Sequence, residues 1–212
     1  DQTFTKDAAI STLTTGNTGG TLAVFALIAT LAVRTGFRAE FVNTILGANA
    51  HASIYNSPYI NNDGVVVYGF ANYNQIKNNI ENIEGVLSVS PVVKGQVMAN
   101  ANGQNQGVEV FGETLIDIKK LPLIMSPELS YGSIDSFEKG IAIGSGIARS
   151  LGLKLGDTLT LISPDGVKTA FGTSPRINGF EVVYIFQVGR YDIDNTRIYM
   201  PLDDAQIYFN RE

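Results

Sequence analysis

The apolar pattern of this chain is uneven, and one stretch stands apart from the rest. Thr21 to Gly47 opens with thirteen residues, Thr21 to Val33, that contain no charge, glycine or proline. It then passes directly into a charged helical pattern. Val33, Phe37, Phe41 and Ile45 recur at i+4 with Arg34, Arg38 and Glu40 on other faces, as one stripe of an amphipathic helix requires. Gly47 supplies a natural C-terminal stop. Such a helix would be about 40 Å long at 1.5 Å per residue, enough to leave a bilayer and stand clear of it. Thirteen apolar residues alone fall short of the ~20 that cross hydrocarbon and are also the size of a buried core helix or a signal-peptide core. A signal peptide fits poorly, because Asp1, Lys6 and Asp7 stand where a basic segment belongs and the small-residue site Ala48-Asn49-Ala50 lies too far downstream. The stretch is read as the outer part of a first spanning helix whose upstream part is missing, preceded by a polar segment, 1–20, that the pattern does not place.

Downstream the period shortens. Ala50 to Tyr55 alternates as a strand, Asn56 to Gly64 carries loop residues, and Val65 to Phe70 reads as a second strand. Tyr73 to Ile83 spaces Ile76, Ile80 and Ile83 helically, with Asn72 as N-cap and Gly85 as stop. Val86 to Ala99 is a strand run interrupted by Pro91, and a polar turn over Asn100 to Gln106 returns it to Val108 to Phe111 as a hairpin. This half predicts a helix on a small sheet. In the second half Ile141 to Gly144 reads as a buried strand, Ser145 to Leu151 as a short helix, and Leu155-Gly156-Asp157 as a turn into the strand Thr158 to Ile162. Phe180 to Val188 is expected to pair with Arg197 to Met200 through a turn near Arg190 to Asn195, and Pro201 to open a closing helix with Asp203 and Asp204 in its first turn. Between them Ser163 to Gly179, SPDGVKTAFGTSPRING, does not fit a compact hairpin and is expected to project as an arm; a plain long surface loop is the competing reading.

Composition excludes several function classes. The 212 residues are 44% hydrophobic and 17% charged, enough for one domain or two small ones. A net charge of −5, with no basic run carrying interleaved aromatics, argues against a nucleic-acid partner. No cysteine is present, so disulfides, thiolate metal sites and cysteine nucleophiles are all removed. The single His51 excludes a multi-histidine metal site, and without a GxSxG elbow it reads as structural. Gly140, Gly144, Gly146 and Gly152 lack the GxGxxG order of a dinucleotide site, and no GxxxxGK[ST] phosphate loop occurs. No cofactor, no metal and no catalytic residue is expected.

Four collinear segments carry a resemblance that runs from Gly20 to about Tyr208: TLAVFALIATLAVRTGFRAEFVNTILGANAH, GVLSVSPVVKGQVMANANGQNQGVEVFGE, GIAIGSGIARSLGLKLGDTLTLISP and FEVVYIFQVGRYDIDNTRIYMPLDDAQ. With these segments the chain resembles the transmembrane permease subunits of bacterial lipoprotein-releasing systems, the LolC and LolE type, within the wider family of MacB-like and FtsX-like permeases. The resemblance implies an α+β fold: a first membrane-spanning helix, seen in part, over 21–47, then a mixed α/β periplasmic core domain over 48–212, of two small subdomains with a protruding hairpin. Three further spanning helices of that family have no counterpart here. It also implies an inner-membrane transport subunit with most of the chain in the periplasm. A separate ATPase subunit would supply energy, a second permease chain would complete the cavity, and lipoprotein substrates would pass to a periplasmic carrier.

Site residues follow from the same resemblance. The arm takes the place of the family's hook, a hairpin that captures the carrier, with Thr169, Phe171, Gly172 and Pro175 aligning best; a basic patch beside the hook is represented only by Arg176. On the helix, Leu27, Gly36, Phe37 and Phe41 are expected to face membrane or cavity, with Gly36 permitting close helix approach. An efflux or mechanotransmitting permease of the MacB or FtsX type, or a soluble periplasmic binding module, remains the alternative.

Overall fold

The computed structural model describes residues 2–46, 50–60, 66–67, 69–70, 72–125, 130–169 and 172–211, and the side chains of 18–39, 41, 50–60, 69–70, 72–125, 130–164 and 174–211. The chain forms two compact units, Asp1–Leu46 and Gly47–Glu212.

The first unit is a single helix, α1 (Gln2–Leu46), so the polar segment that the pattern left unplaced is helical from Gln2 onward. The described side chains of α1 are exposed on every face, Leu22, Phe25, Leu27, Ile28 and Val33 among them. Its threonines fit this setting because their hydroxyls bond back to the helix: Thr30 Oγ1 donates to Ala26 O at 2.7 Å and Thr35 Oγ1 to Leu31 O at 2.8 Å. Neither of these two hydroxyls depends on water for its bond. The expected stop at Gly47 lies outside the described residues.

The second unit begins differently from its pattern. Ala50 to Tyr55 is not a strand: Ile54 and Tyr55 are exposed, and an alternation with nothing to bury has no sheet to join. Pairing starts later, between β1 (Tyr59–Ile60) and β2 (Val66–Val67), a two-stranded antiparallel sheet in which Tyr59 faces Val67. The helix α2 (Tyr73–Glu81) forms where expected, but Asn72 makes no side-chain cap and no residue of α2 is buried, so it does not cover a sheet.

The main sheet joins strands from both halves of the sequence. In chain order they are β3 (Val93–Ala101), β4 (Gln104–Glu113), β5 (Tyr131–Gly132), β6 (Ile141–Gly144), β7 (Thr158–Thr169), β8 (Gly172–Phe186) and β9 (Arg197–Pro201). Spatial order is β5-β8-β6-β9-β4-β3-β7, and β7 also pairs with β8, so six strands close into a ring with β5 attached outside it. The two halves therefore share one sheet. The first hairpin, β3–β4, lies between β7 and β9 of the second half, with Ala99 opposite Leu161 and Phe111 opposite Tyr199. β8 and β9 are not neighbours as expected, because β6 lies between them, parallel to β8 and antiparallel to β9. The β3–β4 turn is also tighter than its polar stretch suggested: Asn102 and Gly103 both have positive φ, the conformation of a two-residue primed turn.

Burial explains the closure. One core cluster draws on all six strands of the ring, including Ala99, Val110, Ile143, Leu161, Val182 and Ile198, together with Leu151 of α4 (Ser145–Leu151) and Tyr208 of α6 (Leu202–Phe209), the short α5 (Tyr191–Asp194) lying between these helices in sequence. A ring leaves few free edges, which removes the aggregation hazard of an open sheet. A second cluster covers the other face of β6, β8 and β9, where Tyr184, Phe186 and Tyr199 meet Ile118 of α3 (Leu115–Ile118), Ile124 and Phe137. The glycines that invited a dinucleotide reading serve packing. A Cβ at Gly140 would collide with the Glu181 carbonyl and one at Gly144 with the backbone of Asp194, while Gly152 caps α4 at φ +64.

Candidate functional site

The segment expected to project is a continuation of the β7–β8 hairpin. The ladder runs from Thr158↔Glu181 through Ser163↔Arg176, resumes at Val167↔Ser174 and ends at Thr169↔Gly172. Between these runs Pro164, Asp165 and Gly166 face Pro175 alone. The Pro-Asp-Gly signal thus makes a bulge instead of a turn, and both prolines sit where the ladder is already broken. β3 accompanies β7 only over Thr160–Ile162. Beyond Ser163 the hairpin is a two-stranded ribbon, and six residues of it reach about 20 Å at 3.3 Å each.

The base of the ribbon is fixed. Ser163 is buried, and Arg176 Nη1 donates to the carbonyls of Ile207 at 2.5 Å and Tyr208 at 2.6 Å, the last turn of α6. A cation on the free carbonyls of a helix C-terminus is favoured by the backbone charge there as well as by the hydrogen bonds. Tyr208 stacks edge-on with Phe180 of β8 at 5.8 Å and with Phe209 at 5.0 Å. Burial pushes the Tyr208 hydroxyl up to about 12 against the opposing pull of Arg176 and the Ser163 backbone, so it remains a neutral packing group.

The residues expected in the hook therefore separate. Thr169 and Gly172 are register partners at the far end, Pro175 is exposed opposite the bulge, and Arg176 is at the base with its guanidinium engaged by α6. Phe171 lies outside the described residues. Sequence reasoning missed Phe180 and Tyr208 as the support of the arm; the only sequence signal was their place in apolar strand and helix patterns, which does not say that they meet. On α1, Leu27 is exposed, Phe37 and Phe41 stack at 5.7 Å, and a Cβ at Gly36 meets nothing described.

One other group is chemically unusual. Glu113 ends β4, is 8% exposed and is raised to about 7 by burial and by Asp117, against the pull of Arg197. Asp117 is stabilised as a carboxylate instead: burial would raise it, but Lys120, Thr114 and Ser90 bond to it and hold it below the usual range. Its partners include Lys120 Nζ at 2.7 Å and the Thr114 hydroxyl at 2.8 Å, which also caps α3. Arg197 lies over the Phe111 ring at 4.4 Å and donates to the Tyr199 hydroxyl at 3.2 Å. Among the described residues no group of three or more His, Cys, Asp or Glu is placed to hold a metal.

Comparison with known proteins gives the chain's relatives and its family. Lipoprotein-releasing system transmembrane protein LolC of Neisseria meningitidis serogroup B is 29% identical over 194 residues, a match covering 90% of this chain and 44% of the relative. The LolE protein of that system in Haemophilus influenzae is 28% identical over 195 residues, again 90% of this chain and 44% of the relative. The chain thus spans about half the length of the curated relatives that it matches. Among solved structures, the periplasmic region of MacB from Actinobacillus actinomycetemcomitans has a TM-score of 0.43 at 11% identity, covering 77% of this chain and 65% of that one. The family model of the MacB-like periplasmic core domain matches residues 18–212, nearly the whole chain, and the chain belongs to that family.

Proposed function

We propose that this chain is part of a lipoprotein-releasing permease of the LolC or LolE type, in which α1 crosses the inner membrane and the β7–β8 ribbon docks the periplasmic carrier. The names of the relatives at 28–29% identity support the system. The observation that carries the docking role is the ribbon itself. It extends beyond its last pairing with β3 and is held at its base by Arg176 on α6. A rigid base with an unaccompanied end presents main-chain and side-chain groups to a partner at low entropic cost, the advantage of preorganisation.

In this reading the chain performs no bond chemistry. A separate ATPase subunit works in the cytoplasm, a second permease chain completes the cavity, and acylated lipoproteins pass to the carrier. The stretch Thr18–Ala39 of α1 is long and apolar enough to cross a bilayer, which supports a membrane setting. Phe171, between Thr169 and Gly172 in sequence, is the proposed anchor, because a carrier that encloses acyl chains has an apolar mouth. Calorimetric titration of the chain with the carrier tests this. Phe171→Ala is expected to cost about 2 to 4 kcal/mol of affinity, as central aromatic hot spots do, with the melting temperature of the domain unchanged. Equal affinity for both proteins overturns the anchor, and no heat of binding for the wild type overturns the docking role.

A further inference from the structure

The outer end of the apolar stretch on α1 carries two cations, Arg34 and Arg38, that form no ion pair with an acidic side chain among the described residues. Arg34 and Arg38 are both exposed and four residues apart, so their side chains rise from the same face about 5–6 Å from one another. The positions three and four residues away from either are Thr30, Leu31, Phe37, Phe41, Thr35 and Val42, none of them acidic. Glu40 is two residues from Arg38 and six from Arg34, spacings that do not face each other on a helix. Two like charges at i,i+4 repel, and an anion shared between them removes that cost.

Position selects the anion. Ala8 to Val33 contains no charged residue, and Arg34, Arg38 and Glu40 close that run in sequence. Arg34 is therefore the first charge at the end of the apolar run, where an arginine extends its charged head to the interface. Beside it a shallow groove is lined by Ala29, Thr30, Val33, Arg34 and Phe37, with the Thr30 hydroxyl turned back onto the Ala26 carbonyl. Phe37 and Phe41 stack next to the cations with ring centroids 5.7 Å apart and add apolar surface there. An amphiphile with a phosphate at Arg34 and Arg38 and an acyl chain along Ala29 and Val33 matches both the charge and the apolar groove. Phosphate suits the planar guanidinium fork, which donates to it in bidentate pairs.

We infer that Arg34 and Arg38 form a binding site for the phosphate of an anionic phospholipid headgroup at the outer end of α1. This rests on the reading of α1 as a membrane span. The test reconstitutes the full chain, with arginine guanidinium groups labelled with nitrogen-15, in vesicles of phosphatidylcholine and in vesicles of phosphatidylcholine with phosphatidylglycerol. Partitioning and magnetisation transfer from guanidinium nitrogen to lipid phosphorus are measured. The chain should enter both vesicles and prefer the anionic ones by roughly 20-fold, from about fivefold per arginine. Arg34→Gln with Arg38→Gln should abolish both the preference and the transfer while the helix still inserts. Entry into both vesicles without preference or transfer overturns the lipid site and leaves the span intact. Loss of transfer in millimolar inorganic phosphate overturns it in favour of a soluble-anion site, and a face covered by a second copy overturns it by cross-linking between Arg34 positions without lipid transfer. Failure to enter either vesicle overturns the span, and the lipid site with it.

Discussion

Glu113→Gln should abolish a pH dependence of stability that one buried carboxyl imposes on the globular unit. The Glu113 carboxyl is 8% exposed at the end of β4 and has its pKa raised from 4.5 to about 7, first by burial and then by Asp117, with Arg197 opposing. A raised folded-state pKa means that the native protein favours the neutral acid. The contribution is fully present below the unfolded value and is lost as pH rises through the folded one, here between 4.5 and about 7. One pKa unit corresponds to 1.36 kcal/mol, so the loss is about 3 kcal/mol by pH 8, and about 2 of that has gone by pH 6. Asp117 acts in a separate window, because its depressed pKa gives stability that is lost only as pH falls below the ordinary value of 3.8. Asp204 is also raised, by burial and by Asp203, so the difference between wild type and variant is the quantity to read. Urea unfolding at pH 4.5, 6, 7 and 8, followed by tyrosine near-ultraviolet dichroism, isolates the globular unit, since all nine tyrosines lie beyond α1. Glu113→Gln should match the wild type near pH 4.5 and exceed it by about 2 to 3 kcal/mol at pH 8, the upper figure being reduced by whatever attraction to Arg197 is lost. Parallel pH curves for the two proteins would refute the reasoning, because they would mean that Glu113 titrates alike in the folded and unfolded chain.

The remaining predictions concern anchors. Asp194 is buried and accepts from the backbone N–H of Val188 at 2.8 Å and of Gly189 at 3.0 Å, so Asp194→Ala should lower unfolding free energy by about 3 kcal/mol in denaturant titration, the range for bonds to a charged group. Arg176→Ala should cost about 1 to 3 kcal/mol of domain stability by freeing the α6 carbonyls, and should also weaken carrier binding in calorimetry because the base of the ribbon loosens; an unchanged melting temperature would assign Arg176 to the partner surface instead. Leu27→Arg should shift the chain from the carbonate-resistant membrane fraction, since a charge at that depth costs about 2.5 to 3.5 kcal/mol.

The sequence was most legible where local signals and burial coincide. Ile141 to Gly144 and Ser145 to Leu151 fall at their expected bounds, because a short apolar run, a tight glycine and a left-handed glycine cap each act within a few residues. The pairing of β3 with β7 and of β4 with β9 left no such mark. It depends on which faces meet across sixty or more residues, so two small subdomains were expected where one ring formed. Ala50 to Tyr55 and Ser163 to Gly179 show one limit of the pattern from opposite sides. Period-two alternation records that one side of a strand is buried; it does not record that a strand exists. Ala50 to Tyr55 alternates with nothing to bury against and is not a strand, whereas Ser163 to Gly179 is polar and glycine-rich on both faces and nonetheless forms a ladder. In that ribbon Pro-Asp-Gly has the composition of a turn, but the pairing on either side leaves it as a bulge opposite Pro175. A segment free of core duty is therefore the hardest to read from sequence. It is also the segment whose surface is available to a partner, so weak patterning and docking capacity arise from the same lack of burial.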